Sequence, residues 1–196
     1  MKTWGEVKSE ILHLGFEKQE NYKNLDGEII SAVNRSMVMI CATVRPIKRR
    51  LQVEQSQTTE YDMVSLADDF MGLFLPVKER GTDESVPSRS MTNSSVVIEG
   101  AGAFDIYYSA KPEKITRATP DDYVLPLDAD VAELLPLLAS YFIWLDDDER
   151  KAVMYWNKYD DLKMQIMAVS GQNKPVTAKA HKVGNNSIFN SFKITM

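Results

Sequence analysis

From Val131 to Leu145 the chain is apolar on almost every side. Val131, Leu134, Leu135, Leu138, Phe142 and Leu145 recur at helical spacing, and Leu137, Ile143 and Trp144 extend the stripe nearly all round. A helix of this kind has to be buried, within its own chain or between subunits. No uncharged apolar run of about 18 residues occurs, so a transmembrane helix is not expected. Pro136 either kinks this helix or starts its main segment. The rest of the chain must supply cover. At 196 residues, 44% hydrophobic and 26% charged, it suits one soluble domain with a real core.

The reactive residues are few. Cys41 is the single cysteine, so no intramolecular disulfide forms, and within Met39-Ile40-Cys41-Ala42 it reads as a small buried hydrophobe. His13 and His181 are the only histidines, too few for a zinc site of the usual type. Residues 171–196 hold four lysines and no acid, which leaves 19 basic against 28 acidic residues, or −9, for the remainder. An acidic body with a basic tail suits self-association or docking better than non-specific nucleic-acid binding. Met1 to Glu10 is charged and helix-like, unlike a signal peptide.

Local patterns give the organisation. Thr3 and Glu6 match a capping box ahead of Trp4, Val7, Ile11 and Leu14 on one helical face, and Gly15 is a stop. A second helix is predicted from Asn24 to Val44, with the stripe Leu25, Ile29, Val33, Met37, Ile40 and Val44, ending before Pro46. Leu51 with Val53, and Ser95 to Ile98, look like short strands. Phe104, Ile106 and Tyr108 alternate with Asp105 and Tyr107, the signature of a half-buried strand. Gly100-Ala101-Gly102 between the last two runs predicts a hairpin loop. Glu79 to Ser94 reads as an exposed loop and Asp62 to Phe70 as a short helix. A last helix presents Ala152, Tyr155, Trp156, Tyr159, Leu162, Ile166 and Val169 before Gly171. The expected fold is therefore α+β. Residues 1–49 and 119–170 would form a helical bundle, 50–118 a small inserted β-rich subdomain, and 171–196 an extended C-terminal tail.

Candidate sites are weak as chemistry. Asp146 to Glu149 lacks the spaced oxygens of a calcium loop and reads as a helix cap. Asp121-Asp122 and Asp128-Asp130 read as solvated turns, and a hydrolase using the first pair lacks a third group. Gly100-Ala101-Gly102 is no phosphate cradle, because no Lys-Ser/Thr pair follows. No catalytic residue, cofactor or metal is expected. The basic run Arg45, Lys48, Arg49 and Arg50 is either a solvated connection or a contact for an acidic partner or packaged nucleic acid. Ile188, Phe189, Phe192 and Ile194 follow a 16-residue polar linker, and exposed they would be an aggregation hazard. That tail either folds back on its own body or adds a strand to a neighbour's sheet.

Several segments resemble small virion proteins of tailed phages: Trp4-Gly5-Glu6-Val7-Lys8, Thr119 to Asp128 (TPDDYVLPLD), and Val131 to Leu137 followed by the aromatic helix and Asp146-Asp147-Asp148. The likeness is most specific over residues 119–162, and departs at Val124, where relatives tend to have Glu, and at Ala129, where they tend to have Pro. The best-described relatives of this outline are head–tail connector adaptors. The resemblance implies a structural protein assembling as a ring of roughly twelve copies beneath the portal. It implies contacts with the portal and with downstream neck or tail proteins, with packaged DNA passing through the ring. The tail residues Ile188, Phe189, Phe192 and Ile194 would be the docking interface, and Arg45, Lys48, Arg49 and Arg50 would face the portal or channel. The implied location is the virion, after assembly in the host cytoplasm, away from any membrane. The alternative is a binding module whose β region recognises a surface ligand through Tyr107, Tyr108 and the loop 79–94.

Overall fold

The computed structural model describes residues 1–15 and 22–172. Helix α1 (Trp4–Gly15) begins as its capping box predicts: the Thr3 N–H donates to Glu6 Oε2 at 2.8 Å and the Glu6 N–H to Thr3 Oγ1 at 3.3 Å. It buries Trp4, Val7 and Ile11. Helix α2 (Tyr22–Thr43) buries Ile29, Val33, Met37 and Ile40, the predicted stripe, together with Cys41.

The apolar segment divides at Glu133 into a short turn of helix, α4 (Ala129–Ala132), and α5 (Leu134–Trp144). Here α3 is the four-residue helix Met63–Leu66 of the β region. Pro136 lies in the first turn of α5, where a missing N–H costs no helical hydrogen bond. Helix α5 is in contact with α1, α2 and α6 (Glu149–Gln172), which explains its nearly all-round apolarity. Leu134, Leu135, Leu138 and Ala139 are fully buried there. Asp148 caps α6, its Oδ1 accepting from the N–H groups of Arg150 and Lys151 at 3.1 and 3.2 Å.

The expected fold class needs correction. The chain is a mixed α/β protein with two three-stranded antiparallel sheets, not a helical bundle carrying a small β insertion. One sheet has the order β1 (Ile47–Gln55), β6 (Gly102–Ala110), β3 (Phe70–Glu79); the other has β2 (Thr59–Asp62), β5 (Ser95–Ile98), β4 (Ser88–Ser90). They share a core of their own, with Met63, Val77, Val96, Ile98, Phe104, Ile106 and Ala110 buried in it. Two elements account for the underestimate. Strand β3 shows no clean alternation and contains Pro76, which lies at a register shift between Phe74 and Lys78 on an edge strand. Strand β4 lies inside the polar stretch Glu79 to Ser94 that reads as a loop.

The glycine-rich link also differs from expectation. Gly100-Ala101-Gly102 does not close a hairpin, because β5 and β6 belong to different sheets. It carries the chain from one sheet to the other, held by the Gln55 side-chain amide donating to the Gly100 carbonyl at 2.6 Å. Gly102 has φ +153°, and a Cβ there would lie 2.9 Å from Phe104 Cζ.

The segment after β6 fastens the sheets to the helices. Asn34 on α2 grips Ile115 at both ends, donating to its carbonyl and accepting from its N–H, each at 2.8 Å. Further along, Thr3 and Val124 form an antiparallel bridge. The Trp4 N–H donates to the Tyr123 carbonyl at 2.9 Å, and the Leu125 N–H to the Lys2 carbonyl at 3.1 Å. Ile47 packs against both apolar cores. Of the expected tail 171–196, the first two residues continue α6 to Gln172, past the predicted stop at Gly171, and the rest lies outside the described residues.

Candidate functional site

The basic run follows α2 into β1, and its three arginines meet carboxylates within the chain. Arg45 donates from Nη1 to Asp128 Oδ2 and Asp130 Oδ1 and from Nη2 to Asp130 Oδ2, all at 2.8 Å, and also to Ser170 Oγ at 2.8 Å. This forked hydrogen bond from Arg45 holds the Asp130 carboxyl below its ordinary range. Arg49 forms an ion pair with Asp69, and Arg50 with Asp105 at 3.3 Å. Asp105, only 5% exposed, also accepts from the Gln52 side chain and faces Arg80 Nε at 3.7 Å. Lys48 lies over the Phe74 ring, 5.4 Å from its centre. Between the helices and β1 a cleft of about 440 Å³ opens, with Arg45, Ile47, Lys48, Leu127 and Asp128 in its walls. Two cations, Arg45 and Lys48, stand there with the Asp128 carboxylate, so it has no single sign of charge to offer an ion.

The other candidates are scattered. Asp121 and Asp122 are exposed, and the Asp121 carbonyl accepts from the Gly5 N–H at 2.8 Å. Burial pushes the Cys41 thiol up to about 11, the state of an unreactive core thiol. Tyr108 is buried and donates its hydroxyl proton to Asp69 Oδ1 at 3.1 Å, while Tyr107 is half-buried. Among the described residues no group of three or more His, Cys, Asp or Glu side chains could hold a metal ion. No described helix is long and apolar enough to cross a membrane. Ile188, Phe189, Phe192 and Ile194 lie outside the described residues.

A surface that the sequence did not single out lies between α2, α5 and α6. Val38 and Met39 from α2, Tyr141 and Phe142 from α5, and Trp156 from α6 wall a recess of about 430 Å³. Tyr141 is the hub, its ring centre 5.1 Å from both Phe142 and Trp156. The Arg35 guanidinium stacks 4.0 Å from the Phe142 ring centre. Beyond Arg35 and Phe142 a second recess of about 340 Å³ carries Glu28, Asp146 and Asp147. Such a surface can bind an apolar or aromatic side chain and hold a cation beside it. The sequence signal was the width of the α5 stripe, whose Phe142 side is only half covered. No family model matches this sequence, and no curated protein matches it either.

Proposed function

We propose that the protein is a structural component of a tailed-phage virion, a head–tail connector adaptor that assembles as a ring beneath the portal and joins head to tail. One observation carries the reading. The segments that resemble such proteins, Trp4 to Lys8 and Thr119 to Asp128, are far apart in sequence yet form one seam through the Trp4–Tyr123 and Gly5–Asp121 backbone hydrogen bonds. The resemblance thus falls on residues that fold against each other, as expected of an inherited structural unit rather than of scattered coincidences.

In this reading the helices form the ring wall, and the tail with Ile188, Phe189, Phe192 and Ile194 reaches the portal or a neighbouring copy. The protein then resides in the virion, after assembly in the host cytoplasm. Disruption of its gene in the phage tests this by electron microscopy of the lysate. The expected lysate contains DNA-filled heads and separate tails, restored to whole particles by the gene in trans. Whole, infectious particles formed without the protein would overturn the reading.

A further inference from the structure

We infer that the aromatic recess between α2, α5 and α6 is the seat of the chain's own Ser187–Met196 segment, which enters it with Phe189 and Phe192. The inference concerns the free chain and does not depend on the connector reading.

The recess specifies its occupant by two properties. Apart from Arg35 its walls are apolar and aromatic, and Val38 among them is 42% exposed. The one charged side chain that lines it is Arg35, and the neighbouring recess, which shares Arg35 and Phe142 with it, adds Glu28, Asp146 and Asp147. A fitting ligand is therefore aromatic or aliphatic, with any cation on the side of Glu28, Asp146 and Asp147 and without acidic side chains. Residues 187–196 have that composition: Ile188, Phe189, Phe192 and Ile194, with Lys193 next to the second phenylalanine and no acid.

Reach favours the chain's own segment over another copy's. Trp156 precedes Gln172 by 16 residues on one helix, a distance of about 24 Å at the α-helical rise. Fourteen residues, 173–186, lie between, and a Gly/Ser-type linker of that length has a root-mean-square span of roughly 21 Å. Span and distance nearly match, the condition under which a tethered ligand reaches its highest effective concentration, in the millimolar range. At micromolar protein a second copy cannot compete with that.

A photo-crosslinking residue, p-benzoylphenylalanine, in place of Phe189 of the full chain tests the assignment. The modified chain is mixed with an equal amount of ¹⁵N-labelled chain, irradiated, and mapped by mass spectrometry. Crosslinks to Met39, Tyr141 or Trp156 within single chains are expected. Val38→Asp, at an exposed position, should lower that yield at least tenfold while the circular dichroism of the full chain stays unchanged. Crosslinks between labelled and unlabelled chains, crosslinks elsewhere on the body, no crosslink at all, or an unchanged yield in Val38→Asp would each overturn it.

Discussion

Gly5 lies so close to Asp121 that a Cβ on the glycine would stand 2.9 Å from the Asp121 Cβ and 3.0 Å from its carbonyl oxygen. The approach lets the Gly5 N–H, one of the unpaired donors at the start of α1, reach that carbonyl. The seam between the chain's start and residues 121–125 depends on this absence of a side chain.

Gly5→Ala should therefore destabilise the protein by about 1–3 kcal/mol, because backbone rather than a flexible side chain must move. Gly27 in α2 is the control. Its nearest neighbour to an added Cβ is the end of the Arg117 side chain at 3.6 Å, so Gly27→Ala should raise stability by up to about 1 kcal/mol. Urea unfolding of the two variants against the parent gives the comparison, and equal effects would refute it.

Asn34→Ala should cost about 1–3 kcal/mol, since it strands the N–H and carbonyl of the buried Ile115. Asn34→Asp keeps the acceptor for the Ile115 N–H but sets a carboxylate oxygen against the Ile115 carbonyl. It should be no better than alanine, and hydrogen exchange at the Ile115 amide reports on the loss locally.

The Arg45–Asp130 fork predicts a pH dependence. The folded-state pKa of Asp130 is lowered by the hydrogen bond from Arg45, so its contribution is present above the ordinary aspartate value near 4 and disappears as pH falls through the lower folded value. Arg45→Gln should reduce stability at pH 7 by about 1 kcal/mol or less, because both partners are partly solvated, and the deficit should shrink below about pH 4. Melting temperatures from pH 2.5 to 7 test this, and a deficit that grows on acidification would contradict it.

Removing the α6 cap with Asp148→Ala should cost about 1 kcal/mol, because it frees the N–H groups of Arg150 and Lys151. Asp148→Asn, which keeps an acceptor oxygen, should recover most of that in thermal melts.

Legibility followed the range of the interactions. The capping box of α1, the α2 stripe and the burial of α5 were readable because each depends on residues within a few positions. Strand β3 was not, since Pro76 and a broken alternation conceal a strand that exists only through pairing with β6. The link at Gly100 looked like a hairpin because turn chemistry does not say which sheet the next strand joins. The arginines of the basic run are paired by Asp69, Asp105, Asp128 and Asp130, acids brought in from other elements. The aromatic recess was hidden because Tyr141, Phe142 and Trp156 fit a core pattern, and only the packing of three helices leaves one side of them open.

The connector reading is tested most directly by mass photometry of the full chain mixed with the portal protein from the same genome. The expected result is a portal species heavier by a ring of roughly twelve 22.2 kDa copies. A portal peak of unchanged mass, with the added chain remaining at its own mass, would contradict it.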